Sequence, residues 1–169
     1  GEEKVIEGDI TKLNITNKIL NECKNKVSMI IGGIPCQSFS LLGPRSGYGK
    51  KMEKFKEDIR DNLYEHFRDI VAELHPNIIV IENVKGILSK KDLQGNLIIS
   101  KIISDFESLG YTLENSQGEK YSLLNAADYG VPQKRERVII VGIKKKWKDI
   151  IIPEICQTHF DAKSRNAEE

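Results

Sequence analysis

Three short β-branched runs limit how this chain can fold. They are Val27-Ser28-Met29-Ile30-Ile31, Asn77-Ile78-Ile79-Val80-Ile81 and Val138-Ile139-Ile140-Val141-Gly142-Ile143. Each is closed by a glycine, a proline or a charge, the pattern of strands covered on both faces. Between the first two, Ile59, Leu63, Phe67, Ile70, Val71 and Leu74 form one helical stripe that Pro76 ends. Between the second and third, a helix is expected from about Asn96, as N-cap, through Ile98, Ile99, Ile102, Ile103, Phe106 and Leu109. Gly110 follows as its left-handed cap. Strand, helix, strand, helix, strand predicts an α/β fold, a mostly parallel sheet with helices on both faces.

Composition narrows the class. The 169 residues fit one domain with a sizeable core. Hydrophobic residues at 39% and charged residues at 30% exclude a disordered chain. No apolar run approaches the roughly 18 residues of a membrane span, and the polar opening Gly1-Glu2-Glu3-Lys4 is not a secretory signal. Cys23, Cys36 and Cys156 suit neither a disulfide framework nor a metal-ligand spacing, so no metal and a reducing, cytoplasmic setting are expected. A net charge of +1 gives no overall attraction to nucleic acid or membrane. The stretch Gly43 to about Lys56 reads as an exposed loop, and Asp161 to Glu169 as a polar tail.

In open α/β sheets, ligands bind beyond the carboxyl ends of the strands. The first run leads into Gly32-Gly33-Ile34-Pro35-Cys36-Gln37-Ser38-Phe39-Ser40, and the second into Glu82-Asn83-Val84-Lys85-Gly86. The third is preceded by Gln133-Lys134-Arg135-Glu136-Arg137, where alternation puts Arg135 and Arg137 on one face. If the third strand runs antiparallel to the others, thiol, carboxyl and guanidiniums meet at one edge. A parallel third strand separates them. Each residue also has an ordinary reading: a lone cysteine is most often packed in a core, Glu82 marks where a strand meets water, and charge runs are usually solvated faces. Cys23 and Cys156 keep that reading. Cys36, in a Gly-Pro loop beyond a strand, stands where a cation or a helix terminus lowers a thiol pKa.

These segments resemble a known family. Pro35-Cys36-Gln37-Ser38-Phe39-Ser40, Glu82-Asn83-Val84 and Gln133-Lys134-Arg135-Glu136-Arg137 are similar, in order, to three signature blocks of the cytosine-5 DNA methyltransferases. Leu124-Asn125-Ala126-Ala127-Asp128-Tyr129-Gly130-Val131-Pro132 resembles a family flank, and the similarity runs from about Gly8 to about Ile143. It implies a Rossmann-like, S-adenosylmethionine-dependent methyltransferase core acting on cytosine in double-stranded DNA, of the kind found in restriction-modification systems. By resemblance Cys36 is the nucleophile that adds to carbon 6 of a flipped-out cytosine. Glu82 contacts ring nitrogen 3 and the exocyclic amine, while Arg137 and Arg135 act as fixed donors. Asp9, Ile10, Pro35 and Leu63 match positions along the cofactor, and Gln37, Ser40 and Asn83 positions at the substrate.

The resemblance also has edges. Nothing before Gly8 resembles the family's first block, a glycine-rich loop that cradles the cofactor, and nothing after about Ile155 resembles its target-recognition region or closing blocks. Residues 1–155 therefore read as the central part of a catalytic domain, incomplete at both ends, and 156–169 as a tail leading toward a recognition region. A complementary polypeptide supplying the missing parts is the implied partner. Two alternatives remain: a tRNA cytosine-5 methyltransferase of the same family, and a non-catalytic remnant that binds DNA or a partner.

Overall fold

The computed structural model describes residues 4–34, 63–92, 95–147 and 156–158. Within them the chain forms α1 (Leu13–Cys23), β1 (Met29–Gly33), α2 (Leu63–Leu74), β2 (Ile78–Val84), α3 (Ile98–Ser108), β3 (Tyr111–Thr112), β4 (Ser122–Asn125) and β5 (Glu136–Lys144). The three expected strands are present, displaced along the chain. β1 starts at Met29 rather than Val27, β2 continues through Glu82 and Asn83 to Val84, and β5 takes in Glu136 and Arg137. Ile59, the Gly43–Lys56 loop and the Asp161–Glu169 tail lie outside the described residues.

The sheet runs β1-β2-β5-β3, with β4 also paired to β5. β1 and β2 are parallel, whereas β5 is antiparallel to β2, β3 and β4. Four strands thus share one direction and β5 alone opposes them. β3 and β4 lie end to end along one side of β5: Thr112 pairs with Ile143, and Ser122 with Ile139.

Alternation on β2 places Ile79, Ile81 and Asn83 on the buried face and Ile78, Val80, Glu82 and Val84 on the other. Phe67 and Val71 of α2 and Ile99, Ile102 and Phe106 of α3 pack on the buried face, with Val138 and Ile140 of β5. Each such side chain contributes roughly 1.5–3 kcal/mol when fully buried. Phe106 is the hub: Tyr64, Phe67 and Tyr111 meet it edge-on, with ring centroids 6.1, 6.2 and 6.4 Å away. Gly32 is required by this packing, since a Cβ there would run into the Phe67 ring. The Tyr111 hydroxyl donates to Pro76 O at 2.7 Å, and burial pushes its pKa up to about 12.

The opposite face is different. Met29 and Ile31 of β1 are 49% and 66% exposed, so among the described residues β1 is not covered on both faces.

Helix ends follow local chemistry, with one departure. α2 stops where His75 turns left-handed (φ 49°) ahead of Pro76. Gly110 caps α3 at φ 87°, as expected. Asn96 is not the N-cap: Leu97 occupies that position without a side-chain cap. The Asn96 amide is held instead by Asp92, whose Oδ1 accepts Asn96 N–H and whose Oδ2 accepts Nδ2–H.

α2 and α3 are clamped by Asp105, which accepts from Tyr64 Oη at 2.9 Å and Lys101 Nζ at 2.7 Å, with Arg68 Nη1 3.6 Å away. Burial alone raises the Asp105 pKa. The bonds from Lys101 and Tyr64, with the charges of Lys101 and Arg68, outweigh it and hold the carboxyl below the usual range. A depressed folded pKa contributes stability above the unfolded value of about 3.9, lost as pH falls through the folded one. Asp105→Asn is expected to lower stability at pH 7 by about 1–2 kcal/mol and to flatten the loss on acidification. Urea unfolding of both proteins at pH 7 and pH 3 checks this.

Candidate active site

The antiparallel setting of β5 brings its first residues to the edge where β1 and β2 end. Gly33 is in register with Glu82, and Val84 with Arg137. In an antiparallel pair, opposed residues share a face, so Glu82 and Arg137 stand diagonally on the face away from the core. Arg137 Nε lies 2.7 Å from Glu82 Oε1. The Nε–H is buried and not aligned with that oxygen, so the contact is an ion pair rather than a hydrogen bond. Arg137 Nη1 donates to Glu136 O at 2.8 Å. The Glu82 side chain is 39% exposed and that of Arg137 21%. The carboxyl is therefore half-buried, braced by a cation and still open to a ligand.

Other expected residues fall elsewhere. Arg135 is exposed and stands one residue ahead of β5, so strand alternation does not extend to it. Its backbone is anchored instead: Arg135 N donates to Asn125 Oδ1 at 3.0 Å, and Arg135 O accepts from Ala126 N. Asn83 is 3% exposed on the core face with Ile79 and Ile81, opposite to Glu82. Its Oδ1 accepts Val84 N–H at 2.8 Å. This placement does not carry the expectation of a substrate contact, because the residue next to Glu82 along a strand must face the other way. Pro35, Cys36, Gln37 and Ser40 lie outside the described residues. Cys36 follows Gly33, the register partner of Glu82, by three positions.

Asp9 and Ile10 precede α1, which packs on α2, the helix that begins with Leu63. Asp9 Oδ1 accepts from Thr11 N at 2.9 Å and Thr11 Oγ1 at 2.8 Å. Those bonds hold its carboxyl below the ordinary range, with smaller help from the charges of Lys12 and of His66 on α2. Beyond β4, the Ala126–Tyr129 turn is capped by Asn125, and Gly130 is left-handed at φ 87°. A recess of about 400 Å³ is lined there by Ala127, Gly130, Val131, Pro132, Gln133 and Lys134. Residues 156–158 return to the same turn, where Asp128 O accepts from Thr158 N at 3.0 Å.

Three residues at this edge were not anticipated. Lys85 Nζ donates to both oxygens of Glu136, at 2.8 and 2.9 Å, and Asn125 holds the backbone of both Ala127 and Arg135. No local pattern announces such pairs, since Lys85 and Glu136 are far apart in sequence and adjacent only through β2–β5 pairing.

Comparison with known proteins gives the family. The family model for the C-5 cytosine-specific DNA methylases matches residues 2–169. The chain belongs to the C-5 cytosine-specific DNA methylase family. It is 43% identical over 117 residues to the type II methyltransferase M.BspRI of Lysinibacillus sphaericus, covering 69% of this chain and 23% of that protein. It is 39% identical over 143 residues to the type II methyltransferase M.AquIA of Picosynechococcus sp., covering 82% of this chain and 53% of that protein. Against these two the chain thus spans between 23% and 53% of the relative's length. Among solved structures, one described as a DNA modification methyltransferase encoded within an E. coli prophage has a TM-score of 0.58 at 29% identity, over 88% of this chain and 37% of that one. The S. pombe Dnmt2 methyltransferase has the same fold, with a TM-score of 0.54 at 17% identity over 94% of this chain and 42% of that one.

The contrast between neighbours on β2 is testable. Asn83→Ala is expected to cost about 1–3 kcal/mol, because a buried amide bonded to the backbone is lost. Glu82→Gln, at a half-exposed ion pair, should change stability by less than about 1 kcal/mol. Urea denaturation of the two variants measures both; equal losses would contradict the placement of these side chains.

Proposed function

We propose that this chain forms the catalytic middle of a DNA cytosine-5 methyltransferase, with Cys36 as nucleophile and Glu82 and Arg137 as its electrostatic partners. The observation that carries the reading is the 2.7 Å ion pair between Glu82 and Arg137 at the end of β2. It stands beside Gly33, whose chain continues directly to Pro35-Cys36. Carbon 5 of cytosine is a poor nucleophile, and addition of the Cys36 thiolate to carbon 6 makes it electron-rich. Glu82 hydrogen-bonds ring nitrogen 3 and the exocyclic amine, where charge develops after that addition. Arg137 fixes the Glu82 carboxyl, so little reorganisation accompanies the step. Loss of the carbon 5 proton after methylation releases the Cys36 thiolate. None of these atoms is reachable within a duplex, so the base must be flipped out at a cost of a few kcal/mol.

S-adenosylmethionine, when bound, supplies the methyl group. The described residues fit its adenosine part: Asp9 offers a carboxylate held ionised by Thr11, Ile10 and Leu63 offer apolar contact, and α1 on α2 sets these segments side by side. Pro35 joins this wall by resemblance. Gln37, Ser40 and the basic Gly43–Lys56 loop would face the DNA, and Arg135 would act from outside the ion pair.

Double-stranded DNA is favoured over tRNA as substrate by relatives named as type II methyltransferases. The same names favour a restriction-modification setting in the cytoplasm. Among the described residues no helix is long and apolar enough to cross a membrane. The bare face of β1, with Ile31 66% exposed, favours a complementary polypeptide or further chain as the cover that completes the cofactor pocket.

Two outcomes test the reading. Cys36→Ser, in the chain assembled with whatever completes it, should reduce methyl transfer to duplex DNA and covalent trapping of 5-fluorocytosine DNA by at least about 10³-fold without unfolding. Near-normal turnover would refute the covalent role. Titration calorimetry of the 169-residue chain alone with S-adenosylhomocysteine should show no affinity in the low-micromolar range. Low-micromolar binding would show that the pocket is complete without a further segment.

A further inference from the structure

The start of β5 is held from two sides. The β2–β5 ladder ends with Val84 opposite Arg137. One step further, the β2 chain turns away into a 3-10 turn at Lys85–Leu88. There a side-chain pair replaces the missing rung, with Lys85 Nζ 2.8 and 2.9 Å from the two oxygens of Glu136. Glu136 and Arg137 are consecutive on β5 and so project to opposite faces. Lys85 draws one and Glu82 the other, and both anchors come from the same end of β2. The network is continuous: the Glu136 carboxylate meets Lys85, its carbonyl accepts from Arg137 Nη1 at 2.8 Å, and Arg137 Nε faces Glu82 Oε1 at 2.7 Å. A shift of Glu136 is passed on directly to the guanidinium.

We propose that Lys85 and Glu136 are positioning residues that fix the Arg137 guanidinium against Glu82, a role that rests on the function proposed above. Stability does not account for the pair. The two side chains are 54% and 46% exposed, and an ion pair so open to water adds little to folding. Geometry accounts for it better. Where charge must be stabilised without reorganisation, a misplacement of about 1 Å costs on the order of 10² in rate. On its other side the strand end is laddered to β4, with Leu124 opposite Arg137 and Asn125 opposite Glu136, so the Lys85 tether supplies a hold on the β2 side, where the backbone ladder has ended.

The test reads Arg137 itself, in the full 169-residue chain, by exchange of its Nε–H proton in NMR spectra. Lys85→Met is expected to speed this exchange by about tenfold, with the unfolding midpoint unchanged. Glu136→Gln should do the same, providing a second variant should the first perturb folding. The charge-reversed double variant K85E/E136K should return exchange toward the parent rate. Unchanged exchange in both single variants, or acceleration matched by a fall in the unfolding midpoint, would overturn the positioning role. This readout needs no methyl transfer, so its failure and that of the proposed chemistry are seen separately. In the assembled enzyme the same variants should lower kcat with KM for DNA unchanged; a rise in KM alone would assign Lys85 to DNA contact instead.

Discussion

The antiparallel pairing of β5 with β2 is the constraint on which the rest depends. A parallel β5 would carry Arg137 to the opposite end of the sheet, out of reach of Glu82. With Val84 opposite Arg137, a strand that runs against the other four delivers its first charged residues to the edge where β1 and β2 finish. A slip of one residue would turn Arg137 into the core and Val138 out of it, which the hydrophobic face does not permit. The register that buries Val138 and Ile140 against α2 and α3 is therefore the register that aligns the site.

The core and the site are two faces of one strand. Ile79, Ile81 and Asn83 look toward Phe67 and Phe106, while Glu82 looks the other way between them. Asn83, buried on the core face, holds the strand end from beneath by accepting the Val84 N–H. The Asp105 clamp and the edge-on rings around Phe106 fix α2 relative to α3, and α1 packs on α2 in turn.

Much of this was legible in the residues. The three β-branched runs, the stripe Leu63 to Leu74 and the left-handed Gly110 all carry strong local signals, and each is where the sequence puts it to within a few residues. What was less legible depended on contacts. β2 continues into Glu82 and Asn83 because β5 pairs with it, and no local propensity of a charged residue announces that. β3 and β4 are too short to show a period; they exist as edges offered by β5. α1 was unforeseen although Ile15, Ile19, Leu20 and Cys23 have helical spacing, because that stripe is thin and Asn14, Asn17 and Asn21 interrupt the helix pattern. Asn96 has the chemistry of a cap, but Asp92 takes its amide. Arg135 shares a face with Arg137 only if the strand reaches it, and Asn125 ends the strand first. Glu82 and Arg137 were legible as partners only conditionally, on a strand direction that local sequence does not state.

The bare face of β1 has a consequence for the chain in solution. β1 is the last strand of the sheet among the described residues, and it presents Met29 and Ile31 to water beside one edge of backbone donors and acceptors. A strand of this kind is a template for another strand, and nothing charged or bulged on Met29–Gly33 deters a stranger. Any segment that pairs with Met29–Gly33 from that side would extend the sheet and come to lie beside Ile31 in a single step.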